Sequence, residues 1–598
     1  MDRAALDGLP FPPEQRRLIA RWLEDPAYED TWAELETLVA HAAAGDGAAL
    51  DELADAFAGP LPIGTGGRRG PCGPGPNRMN AAVLRETAAG LAGAMRAFSV
   101  TPRAAVAYDT RASSRAFTRV VAEELARHGV EVRVLDAPRP TPQLSFELRR
   151  TGCGAGAVIS ASHNPPRDNG IKVYGPDGAQ VLGAWAEEVT RRIEAAARGE
   201  GPTPAQVPGA VTYVHDGALA EADRAYHEVV LAQGCTEGDL AASGLSVVYT
   251  PLHGVGASSV LPALARRGLA PATVAAQMDP DGGRFSTVAS ANPEDPAAFA
   301  LARQLAEEVR ADLVLATDPD ADRLGALARG RDGALSFIDG NRLGVLMLDH
   351  VLRHGPDRTG WVLTTLVTTP LVGKLCRAAG VEVVEDLLVG FKHHAGLVRE
   401  HPDRPVVFAC EESHGYLRGN DVREKDGAIA ALLLAEAAAE AKARGATLVE
   451  RLEDVWRRHG YHRERTWNLR EAGPRGRRAM AAVMEAVRRS PPERFGPLRP
   501  SRVTDRKEGL RTGSPTRDLP GNVVVFDGAV EGGGLAGARL VFRPSGTEPK
   551  LKLYVLGWTD PGSAADAGAR VAADRVVESI GEAAEDWTKD VLRSAGGA

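Results

Sequence analysis

Ala157-Val158-Ile159-Ser160-Ala161-Ser162-His163-Asn164-Pro165, followed by Asn169-Gly170-Ile171-Lys172, sets a short apolar run against a polar loop. The apolar triplet reads as a short buried strand. Ser162 then falls on a loop at a strand end, with His163 beside it and Lys172 further along. That layout suits a hydroxyl exposed for covalent modification during turnover. Taken alone, the segment also reads as a Ser/Asn/Pro turn. Three further loops of chemical character decide between the two readings.

The second loop is Asp318-Pro319-Asp320-Ala321-Asp322-Arg323, which follows the strand-like Ala311-Asp312-Leu313-Val314-Leu315-Ala316. Three carboxylates at alternate positions can converge on one hard cation. Oxygen-only ligands suit Mg2+ or Ca2+ rather than zinc. A calcium EF-hand needs Gly at its sixth position and Glu at its twelfth. Arg323 and Arg329 stand there instead.

The third is Cys410-Glu411-Glu412-Ser413-His414-Gly415-Tyr416, after the apolar Val406-Val407-Phe408-Ala409. Its carboxylates and hydroxyl can pair with vicinal sugar hydroxyls, although Glu-Glu-Ser is also a common helix start. The fourth is Arg543-Pro544-Ser545-Gly546-Thr547-Glu548-Pro549-Lys550. Two hydroxyls, an Arg and a Gly that lets backbone N–H groups approach make a cradle for a dianionic phosphate. A plain turn is the alternative for this segment alone.

In this order, and with domain-sized gaps, the four loops resemble the α-D-phosphohexomutase family. Gly64-Thr65-Gly66-Gly67-Arg68-Arg69, Tyr108-Asp109-Thr110-Arg111, Asn292-Pro293-Glu294, Gly340-Asn341 and Gly390-Phe391-Lys392 extend the match. Gly73-Pro74-Gly75-Pro76-Asn77-Arg78-Met79-Asn80, with the leading helical segment, looks like the longer phosphoglucomutase-2/phosphopentomutase-type subgroup. The resemblance implies three similar mixed α/β domains plus a smaller C-terminal α+β domain around a central cleft. It implies that Ser162 carries the phosphoryl group and that Asp318, Asp320 and Asp322 bind Mg2+, with a phosphoryl oxygen on Ser162 completing the site. His163 and Lys172 become the proton-transfer candidates, and Arg69 and Arg323 contacts for the moving group. A free Lys titrates near ~10.4, so Lys172 would need neighbouring positive charge to act as a base near neutrality. Lys392, Glu411 and Ser413 would contact the sugar. Arg543, Ser545, Gly546 and Thr547 would hold the phosphate that is not transferred. Three residues depart from the family pattern: Gly66, Arg68 and His414.

The activity so implied is reversible phosphoryl transfer between glucose 1-phosphate and glucose 6-phosphate through a hexose 1,6-bisphosphate. Phosphomannomutase is the close alternative, and phosphopentomutase or bisphosphate synthase a more distant one. A sugar-phosphate-binding regulator without catalysis is disfavoured, because Ser162 and all three aspartates are present.

Composition agrees. A chain of 598 residues exceeds one core, and 44% hydrophobic with 25% charged residues is ordinary for a globular protein. No apolar stretch is long enough to span a bilayer and no signal-peptide pattern opens the chain, so no membrane role is expected. A net charge of −8 argues against nucleic acid as a partner. Cys72, Cys153, Cys235, Cys376 and Cys410 are isolated, as expected of reduced cytoplasmic thiols. The expected units are a helical extension over 1–60, a phosphoserine unit over 61–235, a metal unit over 236–355, a sugar unit over 356–455 and a phosphate unit over 456–598. Strand-like and helical patterns alternate through the first of these, as in Ala104–Ala107 and Val130–Val134, which points to parallel α/β layers.

Overall fold

The computed structural model describes residues 3–596, except 65, 357, 471–472, 508–513, 517–518, 533, 546–549 and 564–565. Four sheets follow one another along the chain. The first runs in the spatial order Gly67–Pro71, Asp168–Tyr174, Ala155–Ile159, Arg103–Tyr108, Glu131–Leu135, Val211–Val214. The last four strands of that order are parallel, and Asp168–Tyr174 is antiparallel to both its neighbours. All five residues of Ala155–Ile159 are buried, as expected of a strand covered by helices on both faces.

The second and third sheets repeat one local device. In the second, Leu313–Thr317 is parallel to Val247–Thr250 and antiparallel to Leu324–Arg329. In the third, Val406–Glu411 is parallel to Trp361–Thr365 and antiparallel to Gly415–Leu417. The Ser162, Asp318–Asp322 and Glu411–Ser413 loops thus occupy the same slot in three sheets. Each leaves the C-terminal end of a parallel strand and returns along an antiparallel one. Each also holds one non-glycine residue in the left-handed region: Ser162 (φ 50°), Ala321 (φ 54°) and His414 (φ 63°). Such residues cost roughly 1–3 kcal/mol and persist where the surroundings over-determine them.

The fourth sheet is wholly antiparallel, in the order His462–Arg470, Lys550–Trp558, Gly537–Pro544, Val524–Val530, Leu498–Asp505. Helices Gly473–Arg489 and Ala567–Gly596 pack against it. Arg543 pairs with Lys552 near the end of Gly537–Pro544, opposite the start of Lys550–Trp558.

The N-terminal helices build a small core of their own around Ile19, Trp22, Leu35 and Leu53. They dock on the first sheet's unit through Arg78, which is buried and pairs with Glu52 at 2.7 Å and Asp55 at 2.8 Å. The first unit has separate clusters on the two faces of its sheet. The next three units share one: Tyr249, Leu315, Trp361, Phe408, Phe526 and Val577 belong to a single contiguous core. The Ala-rich helix Gly427–Ala443 lies in its middle, buried on nearly every side, with Asp426 capping its N-terminus. It packs against both helix Gly340–His354 and the second sheet, so it links the third unit to the second.

Candidate active site

Ser162 is 3% exposed, so its hydroxyl forms the floor of a cleft rather than an exposed tip. The cause is Arg111, whose buried guanidinium donates to the carbonyls of Ser162 (2.5 Å), Asn164 (2.6 Å), Pro165 (2.7 Å) and Asp168 (2.8 Å). Asp109 neutralises it at 3.2 Å, with neither side chain exposed. One cation therefore gathers the whole loop and holds the strained Ser162 backbone. Arg111→Ala should destabilise the protein by about 3–5 kcal/mol, because it strands the buried Asp109 carboxylate. A denaturant midpoint unchanged from wild type would show that the loop is held by something else.

The Ser162 hydroxyl donates to Asp318 Oδ2 at 2.6 Å and lies 3.2 Å from His163 Nδ1. Asp318, Asp320 and Asp322 are all buried, and a ligand oxygen from each lies within 4.8 Å of the others. Asp320 Oδ2 accepts from Thr141 Oγ1 (2.6 Å) and Lys172 Nζ (2.6 Å). Asp322 Oδ2 accepts from Lys172 (2.9 Å) and Lys425 (2.6 Å). Their Oδ1 atoms are buried without a hydrogen-bond partner. Orphaned buried carboxylate oxygens beside a hydroxyl are a donor set that fits a hard dication. Burial, then the Asp322 and Asp320 charges, push the Asp318 carboxyl well above its usual range. Burial alone would raise Asp320 as well, but Lys172, Thr141 and Lys425 more than offset it and hold it low.

The electrostatics assign the neighbours different states. Burial, then Arg323 and Arg69, drive the His163 imidazole well below its usual pKa, so it is neutral. Burial would lower Lys172 too, but Asp320 and Asp322 outweigh it and raise the ammonium well above its ordinary value. In these contacts Lys172 is a fixed cation, and the like-charge help that a lysine base would need is outweighed by carboxylates. Arg323 is gripped by Glu294 in a direct ion pair.

The other two loops converge on the same cleft. Burial and then Arg543 push Lys392 down to about 8, while Glu411 pulls the other way. Glu411 is buried, accepts from the Gly390 N–H at 2.7 Å, and is pushed up to about 7 by burial and then Glu412. Lys550 and Lys552, at the start of the strand Lys550–Trp558, act on Glu294 of the second unit, and Lys552 and Arg543 act on Glu412 of the third. Ser413 is half-buried on the Glu411 loop, and Ser545 N–H donates to the Lys550 carbonyl at 2.7 Å. Gly546 and Thr547 lie outside the described residues.

Two departures from the expected pattern have structural reasons. Arg68 and Arg69 alternate across their strand: Arg68 turns inward to Glu86 (2.7 Å) and the Val83 carbonyl, leaving Arg69 near His163. His414 ties its loop to the second sheet, with Nδ1 3.0 Å from the Leu324 carbonyl and its own carbonyl accepting from Leu324 N–H at 3.1 Å. Sequence reasoning gave no role to Arg111, Thr141 or Lys425. Lys425 had one signal, as part of the charged run Arg423-Glu424-Lys425-Asp426 set directly before a helix of almost pure Ala and Leu.

Comparison with known proteins agrees with this geometry. Residues 61–200, 226–331 and 339–459 match the sequence models of phosphoglucomutase/phosphomannomutase α/β/α domains I, II and III. A phosphoglucomutase of Staphylococcus aureus (strain USA300) is 34% identical over 516 residues, covering 84% of this chain and 91% of the relative. Two solved structures share the fold. A phosphoglucomutase/phosphomannomutase family protein from Burkholderia thailandensis aligns with TM-score 0.60 at 20% identity, over 87% of this chain and 97% of that one. Parafusin, a phosphoglucomutase from Paramecium, in its open form, aligns with TM-score 0.62 at 18% identity, over 89% and 96%. With three consecutive domain matches and a relative aligned over most of its length, the chain belongs to the phosphoglucomutase/phosphomannomutase family.

Proposed function

We propose that the protein interconverts glucose 1-phosphate and glucose 6-phosphate through phosphoserine at Ser162, with one Mg2+ and a hexose 1,6-bisphosphate intermediate, in the reducing cytoplasm. The observation that carries this reading is the Ser162 hydroxyl, 2.6 Å from Asp318 Oδ2 at the edge of the three-carboxylate set. Asp318, Asp320 and Asp322 would hold the ion, which offsets charge on the transferring group. Arg323, fixed by Glu294, and Arg69 add positive charge on the same side. Neutral His163 can take or return a proton at Nδ1, 3.2 Å from Ser162 Oγ. Lys172, which donates to Asp320 and Asp322, would stand beside the ion and the transferring group.

Lys392 and Arg543 form a second cationic pole for the phosphate that stays on the sugar, with Ser545, Gly546 and Thr547 completing the cradle. A carboxyl near pKa 7 can donate as well as accept, which suits Glu411 to reading a hydroxyl in either of the two opposed sugar poses. Ser413 would be its partner. Incubation with glucose 1-phosphate, Mg2+ and a trace of glucose 1,6-bisphosphate should yield glucose 6-phosphate. No conversion under those conditions refutes the activity.

The two readers separate kinetically. Arg543→Ala should lower kcat/KM for glucose 1-phosphate and mannose 1-phosphate by similar factors, since each loses a charge-assisted bond of roughly 1.5–3 kcal/mol. Glu411→Gln should change the ratio of the two rates, because the sugars differ in a hydroxyl. The opposite pattern would mean that the two loops exchange roles.

A further inference from the structure

Behind the catalytic cleft, a second cluster of ligand-type side chains joins two buried helices. His350 and His354 lie one turn apart on Gly340–His354, and Glu436 and Glu440 one turn apart on Gly427–Ala443. Glu440 Oε2 is 3.3 Å from His350 Nδ1 and 3.1 Å from His354 Nε2, and the three atoms all lie within 4.8 Å of one another. Zn–N and Zn–O bonds of about 2.0–2.1 Å set the edge of a tetrahedral site at about 3.3–3.4 Å. The two measured edges are close to that value.

The surroundings prepare the ligands. His350 Nε2 lies 3.1 Å from Glu436 Oε2, which can accept its proton and leave Nδ1, 3.3 Å from Glu440 Oε2, to face the cluster. A carboxylate behind a ligating imidazole is a recurrent outer-shell arrangement of metal sites. Glu436 is itself oriented by Arg267 (2.5 Å) and the Cys235 N–H (2.8 Å). Glu440 is held by Arg451 on Oε2 (2.7 Å) and Arg444 on Oε1 (2.9 Å). His354 Nε2, by contrast, is buried and makes no hydrogen bond, because its approach to Glu440 is out of line. Its ring is 30% exposed, which leaves a path from solvent.

We infer that His350 Nδ1, His354 Nε2 and Glu440 Oε2 form a site for a borderline divalent transition ion such as Zn2+, distinct from the hard-cation aspartates. Imidazole with carboxylate suits zinc, and three protein ligands leave a water to complete the tetrahedron. The ion displaces a proton, the alternative occupant of His350 Nδ1. Its role is structural. It ties together two helices whose opposite ends reach the cleft loops: Tyr416, on the strand returning from the Glu411 loop, donates to the Gly340 carbonyl at 2.9 Å, and Lys425, just before the second helix, holds Asp322.

The test uses the full chain, stripped of divalent ions and equilibrated with Zn2+ in a large excess of Mg2+, which fills the aspartate set. After gel filtration, wild type and Asp320→Asn should each retain one equivalent of Zn2+. His354→Ala removes a partly exposed ring and should bind Zn2+ about tenfold more weakly or worse. Zn2+ should raise the melting temperature of wild type and leave that of His354→Ala unmoved. Failure of wild type to retain Zn2+, or equal retention by His354→Ala, overturns the inference.

Discussion

Ser162→Ala should lose on the order of 10^4–10^6-fold in mutase kcat, the scale on which removal of a covalent nucleophile acts. The fold should survive, because Arg111 grips the loop through four backbone carbonyls that the substitution leaves in place. What disappears is the Oγ between Asp318 Oδ2 and His163 Nδ1, and with it the atom that would carry the phosphoryl group. Two readouts belong together. Peptide mass analysis of fresh wild-type protein should find a phosphoryl group on Ser162, and the variant should carry none. Turnover by Ser162→Ala within tenfold of wild type, with no substitute phosphosite, would remove Ser162 from the mechanism.

The second large effect concerns the carboxylates. EDTA should abolish activity and Mg2+ should restore it. Asp320→Asn should lower kcat/KM by roughly 10^2–10^4-fold, the loss expected when a metal's several kcal/mol of charge stabilisation is weakened. Asn keeps one oxygen to accept from Thr141 and Lys172, so the loop should stay folded while the site loses a negative ligand. Added Mg2+ should partly rescue the variant by mass action. Full activity of either protein in metal-free buffer would contradict the assignment.

Much of this architecture was legible in the chain because each chemical loop is a local string: a buried strand, a turn, and side chains within six residues. The three-plus-one arrangement of sheets was expected from the family resemblance that those strings carry, not from the strings alone. What stayed hidden depends on partners far along the chain. Ser162 meets Asp318 across 156 positions, Lys425 meets Asp322 across 103, and Arg111 meets the Ser162 carbonyl across 51. An Arg in Asp-Thr-Arg gives no sign that its targets are carbonyls. The proton-transfer role expected of Lys172 rested on nearby cations, whereas its nearest neighbours are two carboxylates. The placement of helix Gly427–Ala443 was hidden for a related reason. A sequence of Ala and Leu without an amphipathic stripe says that the helix is buried, but not between which sheets.

The core shared by the second, third and fourth units bears on how the molecule comes apart. Elements that bury one another's side chains cannot open singly without exposing the whole cluster. Backbone amides in Leu313–Thr317, Val406–Glu411 and Lys550–Trp558 should therefore exchange with deuterium at one common slow rate, as a single foldon. Amides of the N-terminal helices, whose small core is their own, should exchange earlier. A fourth unit welded into that foldon can flex about its edge facing the cleft. Its amides, including those flanking Phe526 and Val577, should therefore exchange with the shared core rather than ahead of it.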